Sequence, residues 1–168
     1  MSGTALNIDY NDQDLQERLR AMLERTRDFT LVMKAWGSIG RSSVVETFED
    51  GGRPVRWTPA KDGGRTLYRR GLAGGLAGSV NYEAAKDHVV LGTNKVYAAI
   101  HQFGGKTRPS VIRPVRAKAL KTPFGFFKKV VHPGSDIPAR PFLVLQEEDL
   151  TEMRETLKDY VLGMGGGE

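Results

Sequence analysis

The chain has 168 residues, a net charge of +5 and 39% hydrophobic residues, which suits one folded domain with a modest core. It contains no cysteine, and this excludes disulfides, thiolate nucleophiles and cysteine-ligated metal sites. The first 14 residues lack the basic and apolar regions of a signal peptide, and no run of about 18 apolar residues predicts a membrane span. We therefore expect a protein made and kept in a bacterial-type cytoplasm, or in an assembly built there, with no membrane partner.

Two amphipathic segments predict helices in the first 50 residues. Apolar residues at spacings of three, four or seven predict a helix from 12 to about 35. A second helix is expected from about 38 to 49, where Gly51-Gly52 ends it, because glycine adopts left-handed backbone angles at low cost. The alternative is one long helix with a kink near Gly37 or Gly40.

A long loop and then a β-rich region are predicted after these helices. Residues 50–75 show little periodicity and predict a long loop, which is usually functional or disordered in isolation. In an assembly protein such a loop would order on a partner. Residues 76–145 are expected to be β-rich and to include one helical turn. Strands are predicted near 76–83, 88–92, 110–113 and 125–131, and the helical turn at 97–103.

The C-terminal part predicts a last helix and a tail. Apolar residues spaced for a helix run from 147 to 162, and the glycine-rich residues 163–168 predict a flexible tail. Helices, then strands, then a helix indicate an α+β fold. We expect a single domain over 1–162, with a small, mostly antiparallel sheet packed by a long N-terminal helix or helix pair and by the C-terminal helix.

Residue types that enzymes use in catalysis are present, but they do not occur at the spacings that active-site motifs require. His88, His101 and His132 lie at no metal-ligand spacing. The carboxylates at 147–149 are explained by favourable interaction with a helix N-terminus, and the glycine-rich stretch 71–79 lacks the Gly-Lys-Ser/Thr of a phosphate loop. No Gly-x-Ser-x-Gly elbow occurs. We predict that the chain is not an enzyme and binds no cofactor or metal.

Positive charge is concentrated in one segment. No acidic residue occurs between Asp87 and Asp136. The same stretch holds nine basic residues: Lys95, Lys106, Arg108, Arg113, Arg116, Lys118, Lys121, Lys128 and Lys129. Phe124, Phe126 and Phe127 lie among them, as base-stacking aromatics do in nucleic-acid-binding proteins. Direct nucleic-acid contact and a solvated or protein-facing patch are both open, and we favour the second because aromatic residues in strands are usually packed.

Four blocks of sequence, taken in order, resemble one family. They are Phe48–Gly52 with Trp57-Thr58-Pro59, then Gly74–Val80, Gly92–Gly104 and Ile137–Leu143. Together they resemble the virion morphogenesis, or tail completion, family of Mu-like contractile-tailed phages. The specific parts are Tyr97-Ala-Ala-Ile-His-Gln-Phe-Gly104 and Ile137-Pro-Ala-Arg-Pro-Phe-Leu143. The chain departs from the family at Ala73, where the family has threonine, and at Ala60, where it has leucine.

The resemblance implies a structural virion protein that completes the head-proximal end of the tail. It implies a ring, expected to be a hexamer, on the tail tube, assembled in the host cytoplasm. Implied partners are copies of the chain, tube and sheath proteins, the head–tail connector or neck, and transiently the genomic DNA. The alternatives are a head–tail connector or minor capsid protein, a DNA-binding module using the basic 95–129 segment, and, least favoured, a hydrolase.

Candidate contact residues lie in the loop 50–75, in the basic segment 106–129 and at one arginine further on. Pro138 and Pro141 hold their neighbours extended. This extended backbone places Phe142 in the core and directs Arg140 to solvent or to a carboxylate. The segment is then either a buried strand leading into the last helix or a subunit contact made through Arg140. The candidates are Trp57, Arg108, Arg113, Arg116, Lys118, Lys121, Lys128, Lys129 and Arg140.

Overall fold

The computed structural model describes residues 6, 12–60, 63–64, 66–68, 74–115 and 117–164. The chain divides into two compact units. Unit 1 comprises 1–41, 82–91 and 147–168, and unit 2 comprises 42–81 and 92–146. A single domain over 1–162 stays a prediction. No helix within the described ranges is long and apolar enough to cross a membrane.

The order of elements confirms the predicted α+β class. Four α-helices and eight short strands occur within the described residues, in the following order. They are α1 (Gln13–Arg25), α2 (Thr30–Asp50), β1 (Val80–Ala84), β2 (Val89–Thr93), α3 (Ala98–Phe103), β3 (Gly105–Lys106), β4 (Ser110–Ile112), β5 (Leu120–Thr122), β6 (Gly125–Phe127), β7 (Val130–His132), β8 (Asp136–Ile137) and α4 (Glu147–Leu162). The strands pair two by two, as β1 with β2, β3 with β8, β4 with β7 and β5 with β6.

The predicted break between the N-terminal helices is wrong. The helices separate at 26–29, and α2 continues through Gly37 and Gly40. An Asx turn precedes the helix, because the Asp28 carboxylate accepts a 2.8 Å hydrogen bond from the backbone N–H of Thr30, the first residue of α2. Hydrogen bonding to Thr30, by its side chain first and by its backbone N–H second, lowers the pKa of Asp28. Gly37 serves close packing instead, since an added Cβ would collide with the Tyr82 ring.

Unit 1 is held by contacts of α4 with the N-terminal helices. The Trp36 indole N–H donates a 2.9 Å hydrogen bond to the Met153 carbonyl oxygen. The Tyr160 hydroxyl donates to the Asp28 carbonyl oxygen at 2.8 Å, and its ring lies 6.1 Å from that of Phe29. These bonds satisfy polar atoms of large side chains while their apolar parts pack. They fix α4 against the start of α2, and α4 has the bounds that its periodicity predicted.

Unit 2 has an aromatic core. Phe48, near the end of α2, has its ring 5.5 Å from that of Trp57 and 5.2 Å from that of Phe142. Phe48 and Phe142 are fully buried, and burying such a side chain contributes about 1.5–3 kcal/mol. The end of α2, the chain after it and the proline-rich segment before α4 are thereby joined in one cluster.

Three of the strand pairs are nested and form one long antiparallel hairpin, here called the β-arm (residues 105–137). Gly105 pairs with Ile137 at its base, Val111 with Val131 in its middle, and Thr122 with Gly125 at its tip. Seven residues, 113–119, stand opposite only two, 128–129. The strand predicted at 125–131 is therefore two strands, because this unequal insertion interrupts the pairing at Lys128-Lys129.

Candidate interaction surfaces

The Trp57-Thr58 block and the Ile137–Leu143 block are bonded to each other in unit 2. The Trp57 indole N–H donates a 3.0 Å hydrogen bond to the Pro141 carbonyl oxygen. The Arg140 guanidinium donates twice to the Thr58 carbonyl oxygen, at 3.3 and 3.2 Å. Trp57 is buried and Arg140 half-buried. The geometry gives both side chains a role within the chain, and their role as partner contacts stays a prediction.

Helix α3 joins the same cluster from the Tyr97–Gly104 block. The backbone N–H of Arg140 donates to the His101 carbonyl oxygen at 2.7 Å. The Gln102 side-chain oxygen accepts from the backbone N–H groups of Phe142 and Leu143. Gly104 follows with φ +74°, and an added Cβ would lie 2.8 Å from the Ala139 nitrogen. We call this set of residues, 57–58, 101–104 and 139–143, the motif cluster.

His101 is the titratable group of the motif cluster. Its Nδ1 is buried and has no hydrogen-bond partner among the described residues, and the Tyr97 ring contacts it edge-on at 5.9 Å. Burial lowers the pKa of His101, and the positive charge of Arg140 lowers it further. Within the described ranges, no group of three or more His, Asp or Glu side chains could hold a metal ion. Both causes favour the neutral form of the imidazole.

The β-arm brings together most of the predicted basic contacts. Six of them are exposed on it: Arg108, Arg113, Lys118, Lys121, Lys128 and Lys129. Arg116 lies outside the described residues. The arm holds eight basic residues against one acidic residue, Asp136, a net charge of +7. Lys106 forms an exposed 3.5 Å ion pair with this Asp136 at the base, a contact of little energetic value in water.

The β-arm also exposes apolar side chains. Val111 and Val131 are cross-strand partners and share one face, with 53% and 64% of their surface exposed. Phe124 and Phe126 at the tip are 90% and 74% exposed. The Thr122 hydroxyl closes this tip, donating to the Gly125 carbonyl oxygen and accepting from the Phe124 N–H. The phenylalanines expected to be packed are thus uncovered, in a part of the surface that is strongly positive.

Residues 10–162 match the model of the phage virion morphogenesis family. The chain belongs to this family. A protein of Haemophilus influenzae named "Mu-like prophage FluMu G protein 2" is 31% identical over 160 residues, which are 92% of this chain and 95% of that protein. No solved structure matches the chain significantly. The resemblance carried by the four sequence blocks is confirmed.

Family membership makes the chain a phage structural or assembly protein that is associated with the virion. The motif cluster contains the two most specific blocks of the resemblance, and these blocks are hydrogen-bonded to each other through Gln102 and Arg140. Within this chain, these blocks therefore form a fold contact. That the chain is not an enzyme stays a prediction.

The apolar stripe that predicted the first helix forms a further surface, which is not among the predicted contact residues. Leu15, Leu19 and Leu23 form a stripe on α1, and all three are exposed, while no residue of α1 is buried. Helix α1 packs beside α4 in unit 1, where Arg25 donates a 3.1 Å hydrogen bond to the Val161 carbonyl oxygen. The spacing of four residues was the available signal, since it places the leucines on one helix face.

Proposed function

We propose that this protein completes the head-proximal end of the phage tail by forming a ring on the tail tube, so that the head can join. Family membership, which covers most of the chain, supports a structural role in the virion. The ring, its hexameric symmetry and its position at that end are the proposal.

The proposed mechanism is capping. Stacked tube rings grow because each ring exposes the interface that the next ring uses. A terminating ring presents the matching face to the tube and a different face outward, so growth stops and a docking surface for the connector is created. A ring of identical subunits requires a heterologous contact that closes by rotation.

The observation that carries the proposal is the uncovered β-arm. A hairpin of only two strands is marginally stable by itself in water, and this one exposes Val111, Val131 and Phe126. Exposed apolar side chains grouped in this way mark a surface that binds another protein. A subunit that gains its remaining contacts from neighbours is what a ring on a tube requires.

Deletion of the gene from the phage that encodes the chain tests this function. We expect tails of abnormal, variable length and unjoined heads in negative-stain images, with both defects corrected by the purified protein. Protein density confined to one end of isolated tubes is expected as well. Tails of normal length that join heads without the protein would contradict the proposal. Normal tails with unjoined heads would favour a connector role instead.

The charge of the β-arm favours a second candidate function, contact with the genomic DNA. An arm of net charge +7 would attract the phosphate backbone, and such binding weakens steeply as salt rises. We expect any retardation of duplex DNA by the purified protein to be lost between about 50 and 200 mM salt. Binding that survives this change would show contacts other than phosphate pairing.

A further inference from the structure

We propose that the β-arm of one subunit docks on the α1–α4 helix pair of a second copy of this chain. The inference rests on the proposed ring and names the two surfaces that build it. One surface belongs to unit 2 and the other to unit 1, so each subunit offers both.

The first argument is apolar complementarity. The β-arm exposes the Val111–Val131 pair and Phe126. The helix pair exposes the leucine stripe of α1, with Leu19 at 55% and Leu23 at 60% exposure. Each surface would leave water by covering the other, which contributes about 25 cal/mol for each Å² of apolar area buried.

The second argument is charge. The β-arm has a net charge of +7, whereas α4 holds six acidic and two basic residues and α1 three of each. The helix pair therefore has a net charge of −4. Glu148, Glu152 and Glu155 of α4 are exposed. Opposite potentials on two protein surfaces speed their encounter and fix their orientation.

The same charges disfavour other occupants. Two β-arms repel each other, so a symmetric arm-to-arm contact is unfavourable. Nucleic acid would satisfy the lysines and arginines but not the aliphatic Val111–Val131 pair, because about half to two-thirds of protein–DNA hydrogen bonds go to phosphate and sugar, which offer no apolar surface to valine. A protein surface that is both acidic and apolar satisfies both features, and the chain itself carries one. The contact uses two different surfaces and is therefore heterologous, the geometry that closes into a ring.

Complementary variants of the full-length protein test the inference. The arm variant is Phe126→Glu/Val131→Glu and the helix variant is Leu19→Gln/Leu23→Gln. Val96→Glu is the matched control, because Val96 is 98% exposed and lies on neither surface. Circular dichroism establishes that each variant is folded, and sedimentation or light scattering over a concentration series measures assembly.

The wild type and the control are expected to assemble beyond the dimer. Each variant alone should self-associate about 10- to 100-fold more weakly, since a few central apolar residues carry most of an interface's affinity. An equimolar mixture of the two variants should form dimers and stop there. In that mixture the intact arm of the helix variant meets the intact helix pair of the arm variant, and every other contact is defective.

Other outcomes overturn the inference. The inference is wrong if the arm variant or the helix variant assembles like the wild type. It is also wrong if the mixture of the two variants forms no dimers. An arm variant that loses DNA binding while its oligomeric state is unchanged would also overturn the inference, because the β-arm would then bind nucleic acid.

A photo-cross-linker at position 126 gives a second measurement that does not depend on destabilising variants. Mixed labelled and unlabelled chains should yield cross-links between copies to residues 13–25 or 147–162. Cross-links only elsewhere, or a wild type that stays monomeric up to millimolar concentration, contradict the inference. Failure here with the tail-length defect intact removes the docking and leaves the proposed function standing. If the chain assembles as expected but its deletion causes no tail-length defect, the docking stands and the proposed function is wrong.

Discussion

Gln102 and Phe142 are joined by a 2.9 Å hydrogen bond from the backbone N–H of Phe142 to the side-chain oxygen of Gln102. The same oxygen accepts from the N–H of Leu143 at 3.1 Å. One side chain of α3 thus satisfies two successive donors of an irregular segment, which has no strand partner at that point. This is how the segment after Pro141 is held while Phe142 is fully buried.

We expect Gln102→Leu to lower the free energy of unfolding by about 1–3 kcal/mol, because both N–H groups lose their acceptor. Gln102→Glu keeps the acceptor atoms and should recover most of this loss, so it is the matched control. Urea denaturation followed by tryptophan fluorescence measures both. Equal stability of the leucine variant and the wild type would show that the two bonds contribute nothing.

Gly37→Ala should destabilise unit 1, although alanine usually stabilises a helix interior by about 0.5–1 kcal/mol relative to glycine. The added methyl group would collide with the Tyr82 ring, and overpacking of this kind costs about 1–3 kcal/mol. Thermal unfolding measures the change. In a Tyr82→Ala background the same substitution should become stabilising, and a stabilising effect in the wild-type background would refute the packing argument.

The sequence predicted α3 and α4 well, and the physical reasons are local. Helix α4 has a full apolar stripe and ends before Gly163, while α3 ends at Gly104, which has positive φ. The break at 26–29 was missed because two competing signals were present. Glycines at 37 and 40 weaken a helix by propensity, but the Asp28 hydrogen bond and the Tyr82 contact override that weakness.

The candidate surfaces were only partly predictable, because amphipathicity does not say what covers an apolar face. The leucine pattern of α1 is that of a packed helix, yet its leucines are exposed. The basic character of the β-arm follows from composition alone. The strand pairing of the β-arm could not be predicted, because strands of two and three residues show almost no alternation of apolar and polar residues. The unequal insertion between the middle and the tip also makes the register impossible to read from the sequence.

Gly134→Ala should loosen the β-arm between its base and its middle. Gly134 has φ +93°, and an added Cβ would collide with the Thr107 carbonyl oxygen. At this point the Ser135 N–H donates to the Thr107 hydroxyl at 2.7 Å and the Thr107 N–H to the Ser135 carbonyl oxygen at 2.9 Å. We expect faster amide exchange over 105–112 and faster tryptic cleavage of the arm.

Gly75→Ala is the control for that variant, because Gly75 has φ +80° and nothing within 4 Å of an added Cβ. It carries only the cost of a positive φ, about 1–2 kcal/mol. Unchanged exchange in the β-arm of Gly134→Ala would mean that the strand pairs do not depend on the contact of residues 134–135 with Thr107.

The stability of the protein should fall as the pH drops below the ordinary pKa of histidine, 6.5. Burial and Arg140 lower the pKa of His101 in the folded chain, so the unfolded chain binds more protons just below that pH. The contribution is then fully present above 6.5 and is lost as the pH falls towards the folded-state pKa. Urea denaturation at about pH 7.5 and about pH 5.5 measures it. His101→Gln should show a smaller loss than the wild type.

A titration of the His101 ring protons by NMR separates the two causes. Arg140→Gln removes the nearby positive charge but leaves the backbone bond to the His101 carbonyl oxygen possible, so the pKa of His101 should rise while staying below its ordinary value. Burial, the larger cause, remains in that variant. A pKa of His101 that does not move in Arg140→Gln would assign the whole shift to burial. A pKa at or above 6.5 in the wild type would remove the expected loss of stability in acid.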